Sequence, residues 1–177
     1  AIDFAAGSSY YVNLGAGVIL DLAGNSFSGL AGSTSYNFTT VAPPDTTAPT
    51  VVITDNTPGT ATGNVTYSLA FSEVVIGLAA NDFTLTNGGV VSVSGSGTGY
   101  TVVVAPSANT EGTLSLTLKA GAVTDAASNP NAVAFADAQP LDTRAPTVSA
   151  VDPADDANAV AIASDITLTF SEAVQRG

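Results

Sequence analysis

The side chains able to do chemistry in this chain carry oxygen. Fifteen Asp and Glu residues stand against three basic ones, for a formal net charge of −12, and Cys and His are absent. Ser–His and Cys–His nucleophile pairs are therefore excluded, as are thiolate and imidazole sites for zinc or copper. No disulfide framework can form. Carboxylate and amide oxygens suit a hard cation such as Ca2+, which takes roughly six to eight oxygens in flexible geometry. Five residues stand out as ligands for it: Asp45, Glu73, Asp82, Asp125 and Asn129. The competing reading gives each a local task, with an Asx-turn at Asp125, a left-handed Asn129 and Glu73 capping a backbone amide. No Asp-x-Asp-x-Asp-Gly loop is present, so an EF-hand is not in question.

Acids in pairs can also hydrolyse glycosides. Asp155 with Asp156, or Glu73 with Asp82, imitates such a pair. Neither is accompanied by a groove of aromatic residues, so no enzyme is expected. The acidic balance repels nucleic acid and anionic lipid. No run of 18 or more apolar residues exists to span a membrane. No signal peptide is visible at Ala1, as expected of an internal fragment.

Short strands must position the five candidates. The composition is rich in Val, Thr, Ser and Gly, with Gly, Pro, Asn and Asp recurring in clusters between apolar runs. In Asn64–Phe71, Val65, Tyr67, Leu69 and Phe71 alternate with Thr66, Ser68 and Ala70, the period of a half-buried strand. Strands are likewise predicted at Thr50–Thr54, Asp82–Thr86, Gly89–Ser94, Tyr100–Ala105, Thr113–Leu118 and Ala132–Ala136. Ile76–Asn81 has a short helical pattern. Seven short strands in about 100 residues predict an all-β, Ig-like β-sandwich over residues 50–139. In that fold the B–C and F–G loops share one end with the entering linker. Glu73 and Asp82 flank the B–C connection, Asp125 and Asn129 lie in the F–G loop, and Asp45 is in the linker. All five are expected to converge there.

The flanks are incomplete. Residues 1–41 offer two strands, Ser9–Leu14 and Ser35–Thr40, and read as the C-terminal part of a similar domain. Residues 147–177 offer Thr147–Val151 and Asp165–Phe170, the N-terminal part of a further one. Two strands do not make a stable sheet unaided. Pro-bearing linkers are predicted at 42–49 and 140–146.

Three segment pairs recur in order about one domain length apart. Asp45-Thr-Thr-Ala-Pro matches Asp142-Thr-Arg-Ala-Pro. Phe71-Ser-Glu-Val-Val matches Phe170-Ser-Glu-Ala-Val. Gly17-Val-Ile-Leu-Asp-Leu-Ala-Gly-Asn25 matches Gly121-Ala-Val-Thr-Asp-Ala-Ala-Ser-Asn129. A tandem array follows. Its repeats offer partial copies of the site, with Asp21 and Asn25 in the first segment and Asp142 and Glu172 in the last.

These motifs resemble the bacterial Ig-like repeats of large surface proteins. The middle module is similar to repeats of biofilm-associated adhesins, and the end pieces to Ig-like domains of S-layer-type proteins. The resemblance implies a secreted or cell-surface location and calcium at the joints. It also implies a structural task, a stiff spacer in adhesion, filament or surface-layer architecture. Neighbouring repeats or copies are the expected partners. The rival function is a carbohydrate- or surface-binding module, which an exposed aromatic strip on one sheet face would mark. Ser128 departs from the pattern, since the family favours Gly at a position that often needs positive φ. The two incomplete ends also suggest head-to-tail completion between copies, although a piece of a longer chain explains them more simply.

Overall fold

The computed structural model describes residues 3–176. Contacts divide the chain into two units, Ala1–Thr46 and Thr47–Gly177.

In the first unit, β1 (Ser9–Tyr11) pairs antiparallel with β2 (Asn37–Thr39), with Tyr10 opposite Phe38. Bridges between Leu14 and Leu30 and between Leu20 and Ser26 continue the ladder. The unit is therefore one long hairpin whose tip is the Asp21–Asn25 turn. The rings of Phe4, Tyr10 and Phe38 cluster, with centroids 4.7, 5.2 and 5.7 Å apart. None of the described residues of this unit is buried. The regular strands are shorter than the predicted Ser9–Leu14 and Ser35–Thr40. With no third strand among the described residues, little holds such a ribbon flat over its whole length.

The second unit contains the sandwich. One sheet has the order β3 (Val51–Asp55), β4 (Val65–Val75), β6 (Gly88–Pro106). The other has the order β5 (Phe83–Thr86), β7 (Glu111–Leu118), β8 (Phe135–Asp142). Alternation explains which face is buried. Val65, Tyr67, Leu69, Phe71 and Val75 of β4 meet Leu114, Leu116 and Leu118 of β7, with Val102 and Val104 of β6 and Phe83 of β5 in the same core. Each fully buried Leu or Val contributes about 1.5–3 kcal/mol of transfer free energy. This core is what lets the middle segment stand as a folded domain. The chain is thus an all-β protein built on an Ig-like β-sandwich.

Three details differ from the sequence reading. First, Gly89–Ser94 and Tyr100–Ala105 are halves of one 19-residue ribbon, β6. Straight, it would span roughly 60 Å, far longer than its partners, so it doubles back. Gly95 packs on the backbone of Gly99 and Tyr100, and Gly88 on Ala105.

Second, the last strand is not Ala132–Ala136. β8 starts at Phe135 and runs through Pro140 and Leu141 to Asp142, positions read as linker. The inward residues Gln139 and Leu141 are buried and hold it there. Pro140 is tolerated because β8 is an edge strand. Third, the helical pattern at Ile76–Asn81 condenses to a single 3-10 turn at Ala80–Asp82.

After the sandwich, β9 (Val148–Asp152) and β10 (Thr167–Phe170) form a second antiparallel pair. No described residue after Leu141 is buried.

Candidate functional site

The repeated motifs build the same contacts twice. Ser72 of Phe71-Ser-Glu donates its N–H to Thr50 O at 2.9 Å, and its hydroxyl accepts the Thr50 N–H at 3.0 Å. Ser171 of Phe170-Ser-Glu does the same with Thr147, at 2.8 and 3.0 Å. The Ser thus latches the end of one strand to the residue after Ala-Pro. That is a physical reason for the motifs to travel together. It also places the next residue, Glu73, beside the incoming linker.

The F–G loop reaches the same place by another route. Ile76, just past β4, exchanges backbone hydrogen bonds with Thr124 at 2.9 and 3.3 Å. Asp125 follows directly. Its Oδ1 accepts the Asn129 N–H at 2.8 Å, and its Oδ2 accepts from Asn129 Nδ2 at 2.8 Å. Asp21 and Asn25 form the same turn in the first unit, at 2.8 and 2.7 Å. Asp125 is 2 % exposed. Burial pushes its carboxyl upward, but hydrogen bonds from the side chain and backbone of Asn129 and from the Ala127 and Ser128 backbone outweigh that. The group is held below the ordinary carboxylate value. For Asp21 the Asn25 side-chain hydrogen bond leads, and the direction is also downward. Asp125 is therefore an anion at neutral pH.

These routes bring two acids of the sandwich together: a carboxylate oxygen of Glu73 and one of Asp125 lie within 4.8 Å of each other. Asp45, the third expected ligand, stands in the linker ahead of β3. Oxygens so placed can share a hard cation of Ca2+ size, whose ligands sit about 2.3–2.6 Å away. Asp82 is not in the group. Its Oδ2 accepts the Ala79 N–H at 2.7 Å, which closes the 3-10 turn. Asn129 commits its side-chain N–H and its backbone N–H to Asp125, and so orients that carboxylate. Of the partial copies, Asp142 Oδ1 accepts the Arg144 N–H at 3.0 Å. Glu172 has one buried oxygen, Oε1, with no hydrogen bond among the described residues.

One supporting residue escaped the sequence reading. Asn131 is buried. Its Oδ1 accepts the Val123 N–H at 3.0 Å, and its Nδ2 donates to Lys119 O at 2.8 Å and Val133 O at 3.0 Å. It rivets the base of the F–G loop. An Asn just after a Pro reads as an ordinary loop residue, so only a tally of unpaired loop backbone groups would have marked it.

Ser128 does adopt the left-handed backbone its position demands, with φ of 72°, where the equivalent Gly24 has φ of 90°. A side chain at positive φ costs about 1–2 kcal/mol. Ser128→Gly is therefore expected to stabilise the sandwich by about 1 kcal/mol, read as a higher urea midpoint at unchanged slope.

Comparison with protein families agrees with this architecture. A family model described as a bacterial Ig-like domain matches residues 45–139. A second bacterial Ig-like model matches residues 142–177. No curated protein and no solved structure matches the chain. The first match covers more than half of the sequence, and the chain belongs to the bacterial Ig-like domain family.

Proposed function

We propose that the chain is a structural repeat of a large bacterial surface protein, a spacer whose joints are stiffened by Ca2+. The single observation behind the calcium is the approach of Glu73 and Asp125 carboxylate oxygens within 4.8 Å, with Asp45 of the preceding linker as the third ligand of the proposal. A cation there ties the linker, the end of β4 and the F–G loop together. It thereby removes the hinge that a Pro-bearing linker otherwise leaves. The spacer task is supported by tandem family matches. Bacterial Ig-like domains commonly serve in extracellular or surface proteins. Among the described residues, no helix is long and apolar enough to cross a membrane.

The glycan-binding alternative requires an aromatic platform. In the sandwich, Tyr67, Phe71 and Phe83 are buried, while Tyr100 and Phe135 are partly buried against the core. The outward residues of β4 are Thr66, Ser68, Ala70, Ser72 and Val74. That face favours the spacer over the sugar binder.

Thermal unfolding in millimolar Ca2+ and in excess chelator tests the reading. A ligand that binds only the folded state raises the melting temperature by mass action. The expected rise is roughly 5 °C or more, corresponding to about 1 kcal/mol or more in a domain of this size. Asp125→Ala should abolish the rise, and Asp82→Ala should leave it intact. No rise in the unaltered chain would return the three acids to turn-forming and solubilising roles.

A further inference from the structure

A second group of oxygens lies between the sheets, where no charge is expected. Asp55 ends β3 and Asp137 is in β8, and these are facing edge strands of the two sheets. Both acids occupy inward positions of the alternation and are half-buried. They touch across the gap, because the Asp55 N–H donates to Asp137 Oδ2 at 3.1 Å. Backbone N–H groups fix each further, Thr57 on Asp55 Oδ1 at 2.8 Å and Ala138 on Asp137 Oδ1 at 3.0 Å. These contacts orient the two carboxylates without neutralising either. The lysine of the sandwich is engaged elsewhere, its Nζ donating to Asn81 O at 2.6 Å.

The third member is Tyr67, directly opposite Asp55 in the β3–β4 ladder. Its side chain is fully buried, at 0 % exposed, yet its hydroxyl makes no hydrogen bond among the described residues. Leaving such a buried group unpaired is costly. Burial, then the charges of Asp137 and Asp55, push the hydroxyl up to about 12. An unpaired buried hydroxyl beside two acids calls for a shared positive partner.

We infer that Asp55, Asp137 and the Tyr67 hydroxyl form a second hard-cation site, clamping the two edge strands of the sandwich. The donor set is oxygen alone, which selects Ca2+, Mg2+ or Mn2+ over softer metals. Two carboxylates match the charge of a divalent ion, and water completes its shell. Tyr67 and Glu73 are six residues apart on one strand, roughly 20 Å at the usual rise, so this site is separate from the linker triad. Its effect would also differ, because it braces the sandwich internally and leaves the joint alone.

Paramagnetic Mn2+ added to the isotope-labelled full chain separates the two sites by location. At low Mn2+, the backbone amides of Asp55, Thr57 and Ala138 should broaden selectively, and added Ca2+ should restore them. Asp137→Asn keeps the shape and the acceptor for the Asp55 N–H but removes a charge. It should raise the Mn2+ needed for half-broadening at these amides by about tenfold. Tyr67→Phe, which keeps the ring in the core, should raise it by less. Both variants report their own folding through the amide spectrum. The Asn129 amide reports the linker triad independently, so either site can fail without the other. The inference is overturned if these three amides do not broaden selectively, or if Asp137→Asn leaves their broadening unchanged. The two acids would then be charges that guard exposed sheet edges against pairing.

Discussion

Leu116→Ala is expected to lower the stability of the sandwich by about 2–5 kcal/mol, the range for truncating a fully buried leucine. Leu116 is 0 % exposed. It sits at the centre of its sheet, opposite Leu85 on β5 and Asp137 on β8. The facing sheet presents Val65, Tyr67, Leu69 and Phe71. Strands on both sides of β7 fix its backbone, so it cannot sink to fill the lost volume, and a cavity remains. A control on the outer surface, Val91→Ala, should change stability by no more than about 0.5 kcal/mol. Val91 is exposed and lies outside the core. Urea unfolding followed by tyrosine fluorescence measures both, since the chain has no Trp. A loss below about 1 kcal/mol for Leu116→Ala would mean that the sheets close over the gap and that the packing is looser than described.

Gly95→Ala is the second large effect, expected at about 3 kcal/mol or more. Gly95 lies where β6 doubles back, with φ of 112°. L-residues rarely adopt that backbone. A Cβ there would collide with Gly99 O and sit 2.7 Å from the Tyr100 Cα. Both obstacles are backbone, so no side-chain rotation relieves them. The ribbon must open, and Tyr100 moves with it. Tyr100 packs edge-on against Phe71, with ring centroids 5.8 Å apart, and donates its hydroxyl to Val75 O at 3.1 Å. The strain should therefore reach the core and the end of β4 that carries Glu73. Gly97→Ala is the informative contrast. Its φ is also positive, at 67°, but nothing lies within 4 Å of the added Cβ. It should cost only about 1–2 kcal/mol. Equal losses for the two variants would show that backbone conformation alone, not crowding, governs this turn.

The strands with a strict two-residue period were readable from the residues. Val65–Phe71 of β4 and Leu114–Leu118 of β7 bury every second residue, so they announce themselves. β8 did not, for a physical reason. Its inward positions are Phe135, Asp137, Gln139 and Leu141, and it contains Pro140. Polar inward residues and a proline are the marks of a loop unless a partner strand is known. Asp137 was invisible as a candidate for the same reason, and Asp55 lies just past the predicted strand Thr50–Thr54. Of the linker-end acids, Asp45, Glu73 and Asp125 lie in motifs that recur, and the recurrence made them conspicuous. Asp82 recurs in no such motif, and its carboxylate turned out to serve a local turn. Ser128 could be read in advance because left-handed geometry is a property of the backbone position. The return within β6 could not, since its hinge depends on which glycine meets which carbonyl.

The two linkers join the sandwich at opposite ends. The chain enters beside Phe71, where Val51 pairs with it, and leaves beside Glu111, where Asp142 pairs with it. A pull applied through both neighbours therefore runs along the strands. The hydrogen bonds between β3 and β4, and between β7 and β8, then bear the load side by side in shear. They cannot break in succession, as the rungs of a hairpin pulled from its open end would. A module pulled from both ends keeps its length by that geometry alone.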